Sequence, residues 1–198
     1  MLPAFPTLTT ARLVLRELKP ADTDAIFAIH RDTDAMRWFG ADPITERAQA
    51  QRMIEMFAES RKAALPGIRW AIVRNGDGQL LGSCGLFRWN KVYRNCLLGY
   101  ELGRPHWGQG LMSEALRGIL RYGFDQMQLN RIQAEIHPDN TASQLLVERL
   151  GFQREGRHRQ QGYWAGQFHD LDCYSLLAQD WPNLQESARP VGAGQLAP

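Results

Sequence analysis

The sequence predicts a mixed α/β fold in which one central sheet carries helices on both faces. Along the chain, the spacing of apolar residues changes between the helical period and the two-residue period of strands. The predicted elements run as one strand, two helices, a β meander and then β-α-β-α-β-β, an order typical of a layered α/β fold. With 198 residues, 44% of them hydrophobic, the chain can bury a core without metal or disulfide bonds.

The first half of the chain predicts a strand, two helices and a hairpin. Residues 12–18 alternate apolar and polar side chains, as a half-buried strand does. Capping residues followed by apolar residues at helical spacing predict helices over residues 22–29 and over Thr45 to Ala64. Asn75-Gly76-Asp77-Gly78 is a hairpin signal, because its glycines allow a positive φ. The strands predicted in this region span residues 68–73, 79–87 and 96–102.

The second half predicts two helices that alternate with strands. Between Gln109 and Met127 the apolar residues follow i, i+3, i+4 spacing, which predicts an amphipathic helix. A second helix is predicted from Asn140 to Leu150, with Gly151 just after its last residue. The strands predicted here span residues 131–137, 152–159 and 168–177.

One domain is expected over residues 1–181, because a chain of this length corresponds to roughly 1.3 average domains. After Trp181 the composition shifts to Pro, Gly, Ala and Gln, so residues 182–198 are expected to be a flexible tail.

Charge and cysteine content exclude several classes of protein. There are 23 basic and 21 acidic residues, and no long run of one sign, which argues against a nucleic-acid partner. Neither a membrane-spanning apolar run nor a leader pattern is apparent, so no membrane partner is expected. Cys84, Cys96 and Cys173 lack metal-binding spacing and are interpreted as reduced core thiols. We therefore expect a cytoplasmic monomer or homodimer without a bound metal.

A glycine-rich junction over residues 104–112 lies between a predicted strand and the amphipathic helix. Such a junction points several free N–H groups and the positive end of the helix dipole at one place, which suits a pyrophosphate. It also fits a tight turn with no ligand, because short glycine motifs are weak signals. It lacks the Gly-Lys-Ser/Thr of a P-loop.

The residues at this junction resemble the acetyl-CoA loop of the GNAT N-acetyltransferases, whose pattern is Arg/Gln-x-x-Gly-x-Gly/Ala. Pro105 stands where many members have Arg or Gln. Further matches span most of the chain and are similar to the RimJ/RimL branch, which acetylates ribosomal-protein N-termini. These matches are Thr10–Arg16, Gly99–Leu102, Pro105–Ala115, Asn130–Ile132, His137–Ser143, Leu150–Phe152, Glu155-Gly156, His169-Asp170 and Tyr174–Leu177.

The resemblance implies the GNAT fold, with a mixed central sheet that splays between the strand ending near Leu102 and the strand ending at His137. The pantetheine arm of acetyl-CoA would lie in that opening. A backbone N–H near Leu102 would polarise the thioester carbonyl. The backbone N–H groups that would hold the CoA pyrophosphate belong to Trp107, Gly108, Gln109, Gly110, Leu111 and Met112.

Asn140 and Ser143 each have a structural and a functional interpretation. Asn140 is a good helix N-cap and Ser143 lies at the third helical position, which suits both residues locally. The resemblance implies instead that Asn140 binds the pantetheine and that Ser143 protonates the departing CoA thiolate. The two interpretations are compatible.

The general base is harder to assign. In RimL-like enzymes it is a glutamate whose position falls here at Gly162, which has no side chain. Glu101 is the candidate closest to the predicted opening, followed by Glu135 and His137. Each of these three also fits a structural role on a strand or turn. Tyr163 and His169 are weaker candidates.

The sequence thus favours an acetyl-CoA-dependent N-acetyltransferase in which a primary amine attacks the thioester directly in a ternary complex. The expected acceptor is a protein or peptide α-amine, for example a ribosomal-protein N-terminus. The alternatives are a small amine or an antibiotic as acceptor, a non-catalytic CoA-binding module, or a structural protein with no affinity for CoA.

Overall fold

The computed structural model describes residues 4–181, and the tail predicted over residues 182–198 lies outside them. The strands are β1 (Leu8–Thr9), β2 (Leu13–Glu17), β3 (Ile68–Arg74), β4 (Leu80–Asn90), β5 (Asn95–Leu102), β6 (Arg131–Ile136), β7 (Gln153–Trp164) and β8 (Gln167–Leu177). The helices are α1 (Thr23–His30), α2 (Thr33–Met36), α3 (Arg47–Ser60), α4 (Leu111–Asp125) and α5 (Thr141–Arg149), with 3₁₀ turns at Pro20–Asp22 and Arg104–His106.

The mixed α/β architecture is confirmed, and the departures from prediction are local. Strand β1 and helix α2 were not predicted, because two and four residues are too short to show a period. Strand β7 extends five residues past Arg159, to Trp164. The residues that follow Arg159 do not alternate apolar and polar side chains, so the sequence carries no strand signal there. In the structure, the pairing of β7 with β8 is irregular between His158 and Gly162.

Within residues 4–181 the eight strands form one sheet in the order β1-β2-β3-β4-β5-β6-β8-β7. Neighbouring strands are antiparallel except β5 and β6, which are parallel. Pairing between β5 and β6 ends at Leu98 and Ala134, although β5 continues to Leu102 and β6 to Ile136. The predicted splay is therefore present, and we call the gap between these two strand ends the V.

Helices cover both faces of the sheet, as predicted. The larger apolar cluster joins α4 and α5 to one face, through side chains such as Trp70, Leu98 and Ile136. The smaller cluster joins α1 and α3 to the other face at β3, through Ala71 and Val73. Because side chains alternate along a strand, residues next to these in sequence point to the opposite face.

The three cysteines are buried and their thiols are free, as expected for core residues. No helix in the described part of the chain is long and apolar enough to cross a membrane.

Candidate active site

An open cavity of about 1100 Å³ occupies the V. It is bounded by the end of β5, the end of β6, the loop before α4 and the first turn of α5. Residues of the α2 region and of the β7–β8 hairpin close its other side, among them Trp38 and Trp164. Most of the residues predicted to form the site are therefore brought to one place.

The loop before α4 presents a row of backbone N–H donors. Gly108 and Gly110 both have a φ of +71°, a conformation that glycine adopts without steric cost. The first hydrogen bond of the helix runs from the Glu114 N–H to the Gly110 carbonyl. Within residues 4–181 the N–H groups of positions 108–113 donate to no other group. A Cβ at Gly108 would meet open space, so an anion can approach the loop closely.

Trp107 contributes to this loop in a different way from its neighbours. Its backbone N–H donates to the Arg104 carbonyl at 3.1 Å, so it is already used in the 3₁₀ turn. Its indole Nε1 donates to the Leu102 carbonyl at 2.6 Å, and 52% of the residue is exposed. Trp107 thus ties the loop to the end of β5 and leaves the donor row to begin at Gly108.

The loop is held in place from the start of β2. Arg12 donates from Nη1 to the Gln109 carbonyl at 3.0 Å and from Nε to Glu114 at 2.6 Å. Thr10 donates its hydroxyl to the same carboxylate at 2.6 Å. Burial would raise the pKa of Glu114, but the hydrogen bonds from Thr10 and Arg12 outweigh it and lower that pKa. The first residues of the predicted Thr10–Arg16 motif therefore fix the shape of the donor row.

The Leu102 N–H points into the V. The next N–H along the strand, that of Gly103, donates to the Leu81 carbonyl on the β4 side at 2.9 Å. Because N–H groups alternate between the two edges of a strand, the Leu102 N–H faces the edge where β6 has separated. An N–H therefore faces the V where the sequence predicts one, and its role toward the thioester stays a prediction.

Asn140 and Ser143 lie on the wall of the cavity formed by α5. Asn140 is the N-cap of α5, and its Oδ1 accepts from the Ser143 backbone N–H at 3.2 Å. The Ser143 hydroxyl is 2.5 Å from the hydroxyl of Tyr100, which projects from β5. Burial raises the pKa of Tyr100 to about 12, so this phenol stays protonated at neutral pH. The capping role thus belongs to the Asn140 side chain, and the Ser143 hydroxyl is available for other chemistry.

Glu101 lines the cavity but is only 8% exposed. One carboxylate oxygen accepts from Arg69 and the other from Ser83. His30 lies 3.5 Å from the carboxylate, through an Nε2 that has no hydrogen-bond partner in the described structure. Because both Glu101 oxygens already accept hydrogen bonds, this geometry counts against the predicted role as general base.

Arg69 and His30 were not among the predicted site residues. Burial lowers the pKa of Arg69 to about 10, and burial together with the Arg69 charge lowers the pKa of His30 to about 4. Both residues are fully enclosed and belong to elements far from Glu101 in sequence. The one signal in the sequence is an arginine inside the apolar strand Ile68–Arg74, which predicts a buried partner.

Gly162 has a structural reason to be a glycine. A Cβ built there would lie 2.3 Å from the Trp164 ring, which stacks on His169 with centroids 3.7 Å apart. A glutamate at this position would have to displace the indole. The Trp164 ring thus leaves no room for a side chain at position 162.

Gly162→Ala should therefore lower the free energy of unfolding by about 1–3 kcal/mol, the usual cost of overpacking. Gly156→Ala is the matched control in the same strand, because a Cβ at Gly156 meets nothing within 4 Å. Denaturant unfolding of the two variants measures the difference. Equal stabilities of the two variants would show that the Trp164 ring does not exclude a side chain at position 162.

His137 and His169 form a short chain beside this wall. The Asp139 N–H donates to His137 Nδ1 at 3.1 Å, so neutral His137 carries its proton on Nε2, 3.3 Å from His169 Nδ1. Burial lowers the pKa of His137, which favours the neutral ring. Trp38 stacks on His137 at 4.1 Å, while His169 faces the Trp164 carbonyl at 3.1 Å. Both histidines thus pack against Trp38 and Trp164, the side chains that line the cavity on this side.

Tyr163 points away from the site. It is 62% exposed and packs against Phe168 on the β7–β8 hairpin. No group of three or more His, Cys, Asp or Glu residues in the described chain is arranged to hold a metal ion.

Comparison with known proteins finds acetyltransferases both among family models and among individual relatives. Residues 12–153 match the family described as acetyltransferase (GNAT) domain. Uncharacterized N-acetyltransferase YoaA of Bacillus subtilis (strain 168) is 36% identical over 173 residues, which cover 87% of this chain and 97% of YoaA. The ribosomal protein uS5-alanine N-acetyltransferase of Escherichia coli (strain K12) is 37% identical over 89 residues, 45% of this chain and 46% of that protein.

The fold is shared with solved structures as well. Mycobacterium smegmatis RimJ in complex with CoA-disulfide superposes with a TM-score of 0.80 at 21% identity, over 92% of this chain and 94% of that one.

Proposed function

Because this chain belongs to the GNAT family of acetyltransferases, we propose that it transfers the acetyl group of acetyl-CoA to the α-amino group of a protein or peptide. The observation that carries the proposal is a single cavity that joins the donor row of the glycine loop, the V and the Ser143 hydroxyl. These are the parts that binding a CoA thioester and releasing its thiolate require.

The position of acetyl-CoA follows from the shape of the cavity. The donor row from Gly108 onward lies at the open end of the V, beyond Leu102, where it would bind the pyrophosphate. The pantetheine arm then extends toward the narrow end, where pairing stops at Leu98 and Ala134. Unpaired backbone groups of β5 along this path would bind the amides of the arm, and the Asn140 side chain lies beside it.

Transfer requires no covalent intermediate on the protein. The lone pair of a neutral amine attacks the thioester carbon, the carbonyl oxygen takes up negative charge near the β5 N–H groups, and the C–S bond breaks. The Ser143 hydroxyl gives its proton to the departing thiolate. Tyr100, which shares a hydrogen bond with Ser143, keeps that hydroxyl oriented.

An α-amine suits this site better than a lysine side chain. An α-amine has a pKa of about 7.7–8.0 and a lysine about 10.4, so presenting a neutral lysine at pH 7 costs about 2.5 more pKa units, on the order of 3.5 kcal/mol. A site with glycine at position 162 has less means of offsetting that cost. The relative that acts on the alanine of ribosomal protein uS5 supports the same acceptor class.

Two peptides of one sequence test the acceptor. The first has a free N-terminus and a blocked lysine, and the second has a blocked N-terminus and a free lysine. We expect the enzyme to acetylate the first preferentially in direct competition, because its amine is partly neutral at pH 7. Intact-mass analysis measures both products.

Preference for the lysine peptide would contradict the α-amine assignment. So would rapid acetylation of a polyamine with neither peptide modified. Tight acetyl-CoA binding without transfer to any amine would indicate a non-catalytic CoA-binding module instead.

A further inference from the structure

Four aromatic rings form the side of the cavity that lies opposite the groups assigned to acetyl-CoA. Trp38 stacks on His137 with ring centroids 4.1 Å apart, and Trp164 stacks on His169 at 3.7 Å. The two stacks meet through the histidines, whose centroids are 5.2 Å apart. Trp38 and Trp164 line the cavity. Because the donor row and the Ser143 hydroxyl take up the other sides, this aromatic wall faces the space left for the acceptor.

The aromatic wall joins segments that are far apart in the sequence. The Trp164 indole donates to the Arg37 carbonyl at 3.3 Å, and the Ala165 N–H donates to the Asp42 carboxylate at 2.6 Å. The β7–β8 hairpin is therefore tied directly to the segment that follows α2. Between these segments lies His137, which stacks on Trp38 and meets Trp164 edge to face at 5.9 Å. The position of both indoles thus depends on the histidines between them.

The two histidines belong to a chain of hydrogen bonds that all run in one direction. The Asp139 N–H donates to His137 Nδ1 at 3.1 Å, which leaves the proton of the neutral ring on Nε2. That N–H donates to His169 Nδ1 at 3.3 Å, so His169 also carries its proton on Nε2. The His169 Nε2–H then donates to the Trp164 carbonyl at 3.1 Å. All four ring nitrogens have partners when both rings are neutral.

An added proton has no favourable position in this chain. On His137 it would occupy Nδ1, which already faces the Asp139 N–H. On His169 it would occupy Nδ1, which faces the His137 N–H. In either case two donors point at each other and one hydrogen bond is lost. Protonation of either ring therefore acts to separate the pair.

We propose that His137 and His169 are positioning residues, which as a neutral pair hold Trp38 and Trp164 where the acceptor packs. Protonation of the pair then weakens acceptor binding and leaves acetyl-CoA binding intact. The inference rests on the proposed function and adds to it an acid-sensitive acceptor wall. Acetyl-CoA binding is spared because the donor row is held by Arg12, at the start of β2, and not by this wall.

The charged groups around His137 favour its neutral form, with one exception. Burial lowers the pKa of His137, and the other positive groups nearby lower it further. The Asp139 carboxylate, 3.9 Å from Nδ1 and 73% exposed, raises that pKa. The groups that face His137 are Asp139 before α5, Arg37 after α2, Arg157 on β7 and His169 on β8. Because a released ring binds a proton more readily than the packed one, acid favours separation as pH falls below about 6.5.

An acceptor analogue that cannot titrate tests the proposal. The probe is the α-amine peptide of the competition experiment with a hydroxyl in place of its amine, titrated by calorimetry into protein saturated with CoA. Between about pH 7.5 and about pH 5.5 we expect its dissociation constant to rise about threefold to tenfold, because each released ring with a pKa of about 6.5 gains up to tenfold over that range. A dissociation constant that is the same at both pH values would overturn the proposal.

His169→Phe keeps a ring to stack on Trp164 but removes the hydrogen bonds and the site of protonation. We expect the peptide to bind this variant more weakly at pH 7.5, and its dissociation constant to change less than about twofold on acidification, since the chain is already broken. His158→Gln is the matched control, because His158 lies on the same hairpin with 44% of its side chain exposed and outside the pair. It should keep the wild-type pH dependence. CoA affinity at each pH should stay within about twofold of wild type in both variants.

The wild-type pH dependence in a folded His169→Phe, or its loss in His158→Gln, would overturn the proposal. Nitrogen-15 spectra of the five histidines give a reading that needs no variant to fold. At pH 7.5 we expect His137 and His169 both neutral with the proton on Nε2, and a proton on Nδ1 of either ring would also overturn the proposal. Wild-type protein that acetylates only the lysine peptide would instead contradict the α-amine acceptor, and the hydroxyl analogue of that lysine would then decide the role of the pair.

Discussion

Gly108→Asp should abolish measurable acetyl-CoA binding, raising the dissociation constant at least about 100-fold. The substitution places a carboxylate against the donor row that we assign to the pyrophosphate, and such like-charge contacts cost several kcal/mol, with about 2.7 kcal/mol corresponding to 100-fold. The fold should survive, because a Cβ at Gly108 meets no atom within 4 Å. Isothermal titration calorimetry with acetyl-CoA measures the effect.

Gly108→Asn is the matched control for this prediction. Asparagine has nearly the shape of aspartate and tolerates the +71° φ at least as well, but it carries no charge. We expect Asn to weaken binding far less than Asp, with equal melting temperatures for the two variants. Equal affinities for the Asp and Asn variants would show that no anion binds at this loop.

Gly108 is a sharper probe than Gly110. A Cβ at Gly110 would lie 3.6 Å from Nη2 of Arg12, whose guanidinium would partly neutralise an introduced carboxylate. Gly110 is also the N-cap of α4, so a side chain there changes the helix end directly. A change at Gly108 therefore reports the charge of the bound group with less interference from the protein.

The parts of the fold that the sequence predicts well are those governed by local pattern. The amphipathic stripe of α4 and the glycines at positions 108 and 110 are both encoded within a few neighbouring residues. The opening between β5 and β6 was expected from the family resemblance, and no period or spacing indicates it. Local patterns therefore locate the loop, while the position of the V depends on how strands from distant segments pair.

The buried polar network illustrates what local patterns miss. Arg69, Ser83 and Glu101 lie on three adjacent strands, and His30 ends a helix of another layer. Nothing in the sequence around Glu101 shows that both of its carboxylate oxygens will accept hydrogen bonds from other strands. Whether Glu101 is free to act as a base depends on those contacts, so it can be judged only once the strands are assembled.

Gly162 shows the same dependence on distant contacts. The sequence shows only a glycine at position 162, whereas the structure shows the Trp164 ring where a side chain would lie. The Trp164 ring fills the space beside Gly162 because His169 stacks on its face and the Arg37 carbonyl accepts from its indole. That wall joins three segments from different parts of the chain.

Ser143→Ala should lower kcat on the order of 100-fold while leaving acetyl-CoA affinity nearly unchanged. A proton donor to the departing thiolate acts only in the transition state, and general acid catalysis contributes about 10²-fold or more. The hydroxyl also lies in the first turn of α5, where the positive end of the helix dipole stabilises a nearby thiolate. Steady-state release of the CoA thiol measures kcat.

The test separates the hydroxyl from the helix cap, because the capping bond of α5 uses the Ser143 backbone N–H and the Asn140 side chain. Alanine keeps that N–H, so the cap of α5 should survive in Ser143→Ala, which loses only the hydrogen bond to the Tyr100 hydroxyl. Asn140→Ala removes the cap and should cost about 1 kcal/mol of stability. A large fall in melting temperature with unchanged kcat in Ser143→Ala would assign the hydroxyl a purely structural role.

Tyr100→Phe separates the two hydroxyls of this pair. The Tyr100 phenol, with its pKa near 12, is protonated at neutral pH and shares a hydrogen bond with Ser143. If Ser143 gives the proton and Tyr100 only orients it, Tyr100→Phe should lower kcat less than Ser143→Ala does, and the double variant should be no slower than Ser143→Ala alone. A Tyr100→Phe variant slower than Ser143→Ala would make the phenol the proton donor and Ser143 the residue that positions it.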